Sequence, residues 1–109
     1  MVHTVIAMFT FKEGAKSEFL DILHSDNGIS VTRNWEGCQS IELYESQENP
    51  NVVTIWQKWD DKSNHESYVQ MRKDSGMFDK LHEMTEDIAI HPLSVIDESS
   101  QENSATQTA

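Results

Sequence analysis

Three side chains in the second half of the chain have the types and spacing to do chemistry: His65, Tyr68 and His82. His82 follows Phe78 by four residues, so on a helix the imidazole shares a face with that ring. In a pocket between helix and sheet it could serve as an acid, a base or an axial ligand. The plainer reading is a boundary histidine hydrogen-bonded to a neighbour. His65 and Tyr68 lie three apart on the preceding helical stretch. A tyrosine can bury its ring and still present its hydroxyl to a cavity. Simple packing is again the plainer reading. Trp59 and Trp56, in NVVTIWQKWDD, are also three apart. Taken singly they read as core, since an indole buries a large area at little entropic cost.

Other chemistries find no support. The histidines are His3, His24, His65, His82 and His91, and no two are spaced i, i+4 as ligands on one helix face. No CxxC accompanies them, so no protein-built metal site is signalled. There is no GxSxG, no GxGxxG and no Walker loop. Cys38, the one cysteine, falls within a strand and reads as a small buried hydrophobe. It rules out an internal disulfide. The formal charge of −11, from 8 basic and 19 acidic residues, argues against binding nucleic acid or an anionic membrane surface. The expectation is no signal peptide, no membrane span and a cytoplasmic setting.

These residues need elements to position them. Residues 2–11 are β-branched and aromatic and read as a strand. Val5, Ala7, Phe9 and Phe11 lie on one side; Val2, Ile6 and Met8 lie on the other. After Gly14, AKSEFLDIL carries Ala15, Phe19, Ile22 and Leu23 at helical spacing. A second helical piece holds Ile29, Val31 and Trp35, closed by Gly37. CQSIELYES and NVVTIWQKW, joined by a polar loop around Pro50, read as a hairpin. Ser63-Asn64-His65-Glu66 fits a capping box, so a helix should start near residue 63. It carries Tyr68, Val69 and Met71. A further helix holds Met77, Phe78, Leu81 and Met84. A short last strand, LSVID, follows Pro92. Residues 98–109 lack any large apolar side chain and are expected to be a disordered tail after a single domain, 1–97.

Strand, helix, strand, strand, helix, strand is the split βαβ, ferredoxin-like order of an α+β fold. Its helices cover one face of an antiparallel sheet. Strands apolar on both faces require cover on both faces. A second copy, packed sheet to sheet, would provide it. Trp56 is then assigned to the dimer side and Trp59 to the pocket side.

Glu36-Gly37-Cys38 before Glu42-Leu43-Tyr44, Asn49-Pro50-Asn51 before Trp59-Asp60-Asp61, and the helix of Tyr68 followed by Phe78 resemble one family. It is the antibiotic biosynthesis monooxygenase (ABM) family of dimeric α+β barrels. The resemblance covers residues 2–97. It implies a homodimer through the sheet face and a small aromatic or quinol substrate oxidised by O₂ without metal or flavin. In the haem-degrading branch, His82 matches the histidine ligand, whereas Tyr68 stands here in place of a tryptophan and Ala7 in place of a first-strand asparagine, so one of the three residues is kept. In the quinol-oxidising branch, Trp59 and Tyr68 match pocket residues, and Asn64 is the nearest asparagine.

The expected roles follow from that resemblance. His82 or His65 is the base, Tyr68 the donor to the substrate anion, and Trp59, Asn64, Phe78 and Met71 contact substrate. The alternatives are a haem-binding relative with His82 as axial ligand, and a non-catalytic module for a small hydrophobic ligand. Fold alone does not choose between them.

Overall fold

The computed structural model describes residues 1–97. In chain order it has β1 (His3–Phe11), α1 (Ala15–Leu23), α2 (Ile29–Arg33), β2 (Cys38–Glu45) and β3 (Val52–Trp59). Then come α3 (Lys62–Asp74), α4 (Met77–Met84) and β4 (Thr85–Ser94). The four strands form one antiparallel sheet in the order β2-β3-β1-β4. This is the expected ferredoxin-like arrangement. The apolar β1 lies inside the sheet, paired with β3 on one side and β4 on the other.

Strand alternation sorts the two faces. Val5, Ala7, Phe9 and Phe11 of β1 and Val53, Ile55 and Trp59 of β3 are buried under the helices. Phe19 of α1 and Leu81 and Met84 of α4 complete that core. Phe11 and Phe19 stack at 4.6 Å between ring centroids. On the opposite face Ile6 pairs across from Trp56, and Met8 across from Thr54. Trp56 and Met8 are 46% and 40% exposed, and among the described residues no helix covers that face. Tyr44 meets Trp56 edge-on at 6.3 Å. Trp59, at 0% exposure, lies on the helix side. The odd spacing of the two indoles therefore places them on opposite faces, as read from the strand pattern.

The helix after β3 starts earlier than the capping box suggested. Asp61 is the N-cap: its Oδ2 accepts from the Ser63 backbone N–H at 3.1 Å and from the Ser63 hydroxyl at 2.9 Å. A carboxylate two residues upstream already satisfies the first turn, and negative charge favours that end of a helix.

The last strand is also different. It begins at Thr85, directly after α4, and runs through Pro92. A proline is tolerated there because β4 is an edge strand, where a missing N–H breaks no ladder bond. Cys38 is half-buried at the start of β2 and is not the buried hydrophobe expected. Burial still pushes its thiol up. The expected tail at 98–109 lies outside the described residues.

Candidate active site

A cavity of about 370 Å³ lies between the sheet and its helices. Val5, Ala7, Phe9, Ile41 and Ile55 form its floor. Phe19, Ile22 and Leu23 of α1 and Phe78 and Leu81 of α4 form its apolar walls. The polar lining concentrates on Thr32 of α2, Gln57 of β3, and His65, Tyr68 and Arg72 of α3.

Helical spacing builds the polar wall. Tyr68 and Arg72 are four apart, so they share one face of α3. Arg72 is only 7% exposed. Its Nε donates to the Tyr68 hydroxyl at 2.8 Å. Its Nη1 donates to the Asn27 carbonyl at 2.9 Å, and its Nη2 to the Gly28 carbonyl at 2.9 Å and the Thr32 hydroxyl at 3.2 Å. The Tyr68 and Thr32 hydroxyls share a hydrogen bond of 2.6 Å. Every Arg72 partner is neutral, and among the described residues no carboxylate pairs with it. A buried cation without a counter-ion leaves positive potential at this end of the cavity. Gly28 packs tightly against the end of α1. A Cβ there would lie 2.0 Å from the Leu23 carbonyl oxygen.

Behind this wall sits Trp59. Its ring lies 5.3 Å from Tyr68 and 5.5 Å from His65. Its indole N–H donates to Gln57 Oε1 at 2.9 Å. His65 also faces His3 at 5.5 Å. Burial, reinforced by the charge of His3 and opposed by Glu66, lowers the His65 pKa to about 4. The imidazole is therefore neutral near pH 7, and a weak base.

Of the residues singled out in the sequence, His65, Tyr68, Phe78 and His82 line the cavity. His82 is exposed at its rim on α4. Trp59 stands one layer back, and Met71 does not reach the lining. Asn64 packs instead against Gly37, where an added Cβ would lie 2.3 Å from the amide carbon. Gly37 takes φ 88°, the left-handed region suited to glycine. Arg72, Gln57 and Thr32 went unnoticed in the sequence. Arg72 was within reach of the i, i+4 rule applied to Tyr68, and Gln57 of the i, i+2 rule applied to Trp59. Thr32 carries no such signal. Among the described residues no three His, Cys, Asp or Glu side chains gather as a metal site.

The family model described as antibiotic biosynthesis monooxygenase matches residues 2–77. The chain belongs to this family. Several solved structures share its fold. Rv0793 from Mycobacterium tuberculosis is 24% identical over 92% of this chain and 100% of its own, with a TM-score of 0.80. Protein SO0527 from Shewanella oneidensis is 25% identical over 84% of this chain and 88% of its own, with a TM-score of 0.69. A variant of SnoaB, a cofactor-independent oxygenase from Streptomyces nogalater, is 11% identical. That likeness covers 89% of this chain and 95% of SnoaB at a TM-score of 0.75. A comparison with curated proteins finds no match. Among the described residues, no helix of this ABM protein is long and apolar enough to cross a membrane.

Proposed function

We propose that this ABM-family protein is a cytoplasmic monooxygenase that oxidises a small phenol or quinol with O₂, without metal or flavin. The observation that carries the reading is the apolar cavity closed at one end by Tyr68, with its hydroxyl held by buried Arg72. The cofactor-independent oxygenase SnoaB, similar in fold, supports it.

The cavity accounts for what such chemistry needs. A phenol must lose its proton before it passes an electron to O₂. One oxygen atom then bonds to the ring carbon and displaces its hydrogen. The other leaves as water with that hydrogen and the phenolic one, so phenol plus O₂ gives quinone plus water. The protein's share is to deprotonate the phenol, hold the anion and exclude bulk water. Tyr68, polarised by Arg72, is the donor to the anion. His82, at the rim, is the base. His65 is too weak a base for that role, with its pKa held at about 4. We assign it to fixing the ligand's orientation, beside Phe78. Trp59 supports the wall from behind. The protein works as a homodimer, its exposed sheet face covered by a second copy.

Haem fits this cavity poorly. The volume of about 370 Å³ lies near the low end of the roughly 300–1,000 Å³ typical of ligand pockets. A porphyrin would have to displace the packed side chains of Phe78 and Leu81, and His82 stands at the rim rather than over the cavity centre. No step is assigned to haem.

Oxygen uptake with a panel of hydroquinones and hydroxynaphthalenes tests the reading. Turnover should fall at least about tenfold in Tyr68→Phe and in His82→Ala, the usual range for losing a donor or base being about 10²–10⁴. Unchanged turnover in both variants overturns the assignment. Ligand binding without any oxygen uptake would make the protein a binding module.

A further inference from the structure

We infer that Gln57, held in one orientation by Trp59, joins Tyr68 in gripping an anionic oxygen of the ligand, so that the cavity selects an aromatic monoanion over its neutral counterpart. This deepens the reading above and rests on it only in taking the cavity as the ligand site.

Gln57 is 8% exposed and lies opposite Val5 on the helix-facing side of the sheet. The indole N–H of Trp59 can only donate. Its 2.9 Å bond therefore turns Gln57 Oε1 towards the indole and decides which way the amide lies. The Nε2 group has no hydrogen-bond partner among the described residues. It is not sealed off either: Thr4 Oγ1 is the one fully buried side-chain N or O atom without a partner there. Gln57 lines the cavity, so this free donor opens onto it.

Tyr68 offers a second donor. Its oxygen accepts from Arg72 Nε, and the Thr32 oxygen accepts from Arg72 Nη2. The 2.6 Å contact between the two hydroxyls uses one proton. When Thr32 donates it, the Tyr68 proton is left for the ligand. The carbonyls of Asn27 and Gly28 are already occupied by Arg72. The polar end is thus rich in donors and backed by an unpaired guanidinium.

Charge points the same way. The chain carries 19 acidic residues, yet among the described residues no Asp or Glu lines the cavity. Its titratable lining is Arg72, Lys73, His65, Tyr68 and His82; Arg72 and Lys73 carry the positive charge, since His65 is neutral. A cationic lining in an acidic protein matches an anion, because field lines focus in a cleft with low-dielectric walls. The ligand class is a fused-ring carboxylate, phenolate or enolate, its ring among Phe19, Leu23, Phe78 and Leu81 and its oxygen between Gln57 and Tyr68.

Calorimetric titration of the full chain with 2-naphthoate and with neutral 2-naphthylmethanol tests this. Neither probe is a quinol, so the outcome is independent of oxygen uptake. The anion should bind about tenfold or more tighter than the carbinol. Gln57→Leu should remove most of that preference. Trp59→Phe frees the amide to turn its oxygen to the anion, so it should weaken naphthoate and leave the carbinol, which can itself donate, nearly unchanged. Trp56→Phe, on the opposite sheet face, should alter neither. Equal affinity for the two probes, no binding of naphthoate, or a preference intact in Gln57→Leu overturns the inference.

Discussion

Arg72 Nε and the Tyr68 hydroxyl are joined at 2.8 Å, and the guanidinium carbon also sits 5.2 Å from the Tyr68 ring centroid. One cation thus holds the ring and the oxygen of the same tyrosine. It also ties α3 to the connection between α1 and α2 through the Asn27 and Gly28 carbonyls. Replacing it should affect stability and chemistry together. Arg72→Met leaves the Asn27 carbonyl without its donor and the Gly28 carbonyl with the Val31 N–H alone, and should destabilise the fold by roughly 2–3 kcal/mol in urea unfolding. Arg72→Lys should recover little, because an ammonium cannot reproduce the planar fork. A lysine variant with wild-type stability and turnover would refute the strut.

His65 makes stability depend on pH in one window. Its folded pKa of about 4 lies below the ordinary 6.5, so between those values the unfolded chain binds more protons at this site. Stability should be complete above pH 6.5 and fall as pH drops towards 4. His65→Asn should flatten that part of the curve. His3→Asn should raise the His65 pKa, since the His3 charge helps to lower it. Proton NMR of the imidazole signals against pH checks both.

The bare sheet face should be an interface. Trp56, Tyr44, Met8 and Leu93 are all substantially exposed on it, and an apolar patch of this kind marks an interaction surface. Sedimentation equilibrium should show twice the mass of one chain, and Trp56→Lys should shift it to one. Trp56 fluorescence should become less accessible to a soluble quencher as protein concentration rises, while Trp59 stays shielded throughout. A wild-type protein sedimenting as a single chain at micromolar concentration would end the homodimer proposal.

Haemin offers a separate check on cofactor use. Titration should give no shifted Soret band that depends on His82. A band abolished in His82→Ala would replace the quinol reading with the haem one.

Thr4 Oγ1 is buried without a hydrogen-bond partner among the described residues. Thr4→Val keeps the shape and removes the unsatisfied hydroxyl. It should stabilise the protein by about 1 kcal/mol, read as a higher melting temperature. A lower melting temperature would mean that the hydroxyl is satisfied in solution, for instance at the sheet interface.

The order of elements, the two-faced apolar strands and the opposite placement of Trp56 and Trp59 were all legible in the sequence. Each rests on local periodicity, which the backbone geometry of strands and helices enforces without reference to distant residues. The family was legible for a related reason: short motifs in a set order survive as text. Two boundaries were misread where neighbours decided. Asp61 capped α3 ahead of Ser63, and a sheet edge admitted Pro92 into β4. At the polar end of the cavity, the links from α3 to Thr32 and Gly28 belonged to tertiary structure alone. Thr32 and Tyr68 are 36 residues apart, and Arg72 reaches the Gly28 carbonyl across 44. No spacing rule links such positions. They meet because the ferredoxin-like crossover brings α2, packed on β2, beside α3, packed on the neighbouring β3. Burial of an arginine among neutral acceptors follows from that meeting, and with it the charge that the cavity presents.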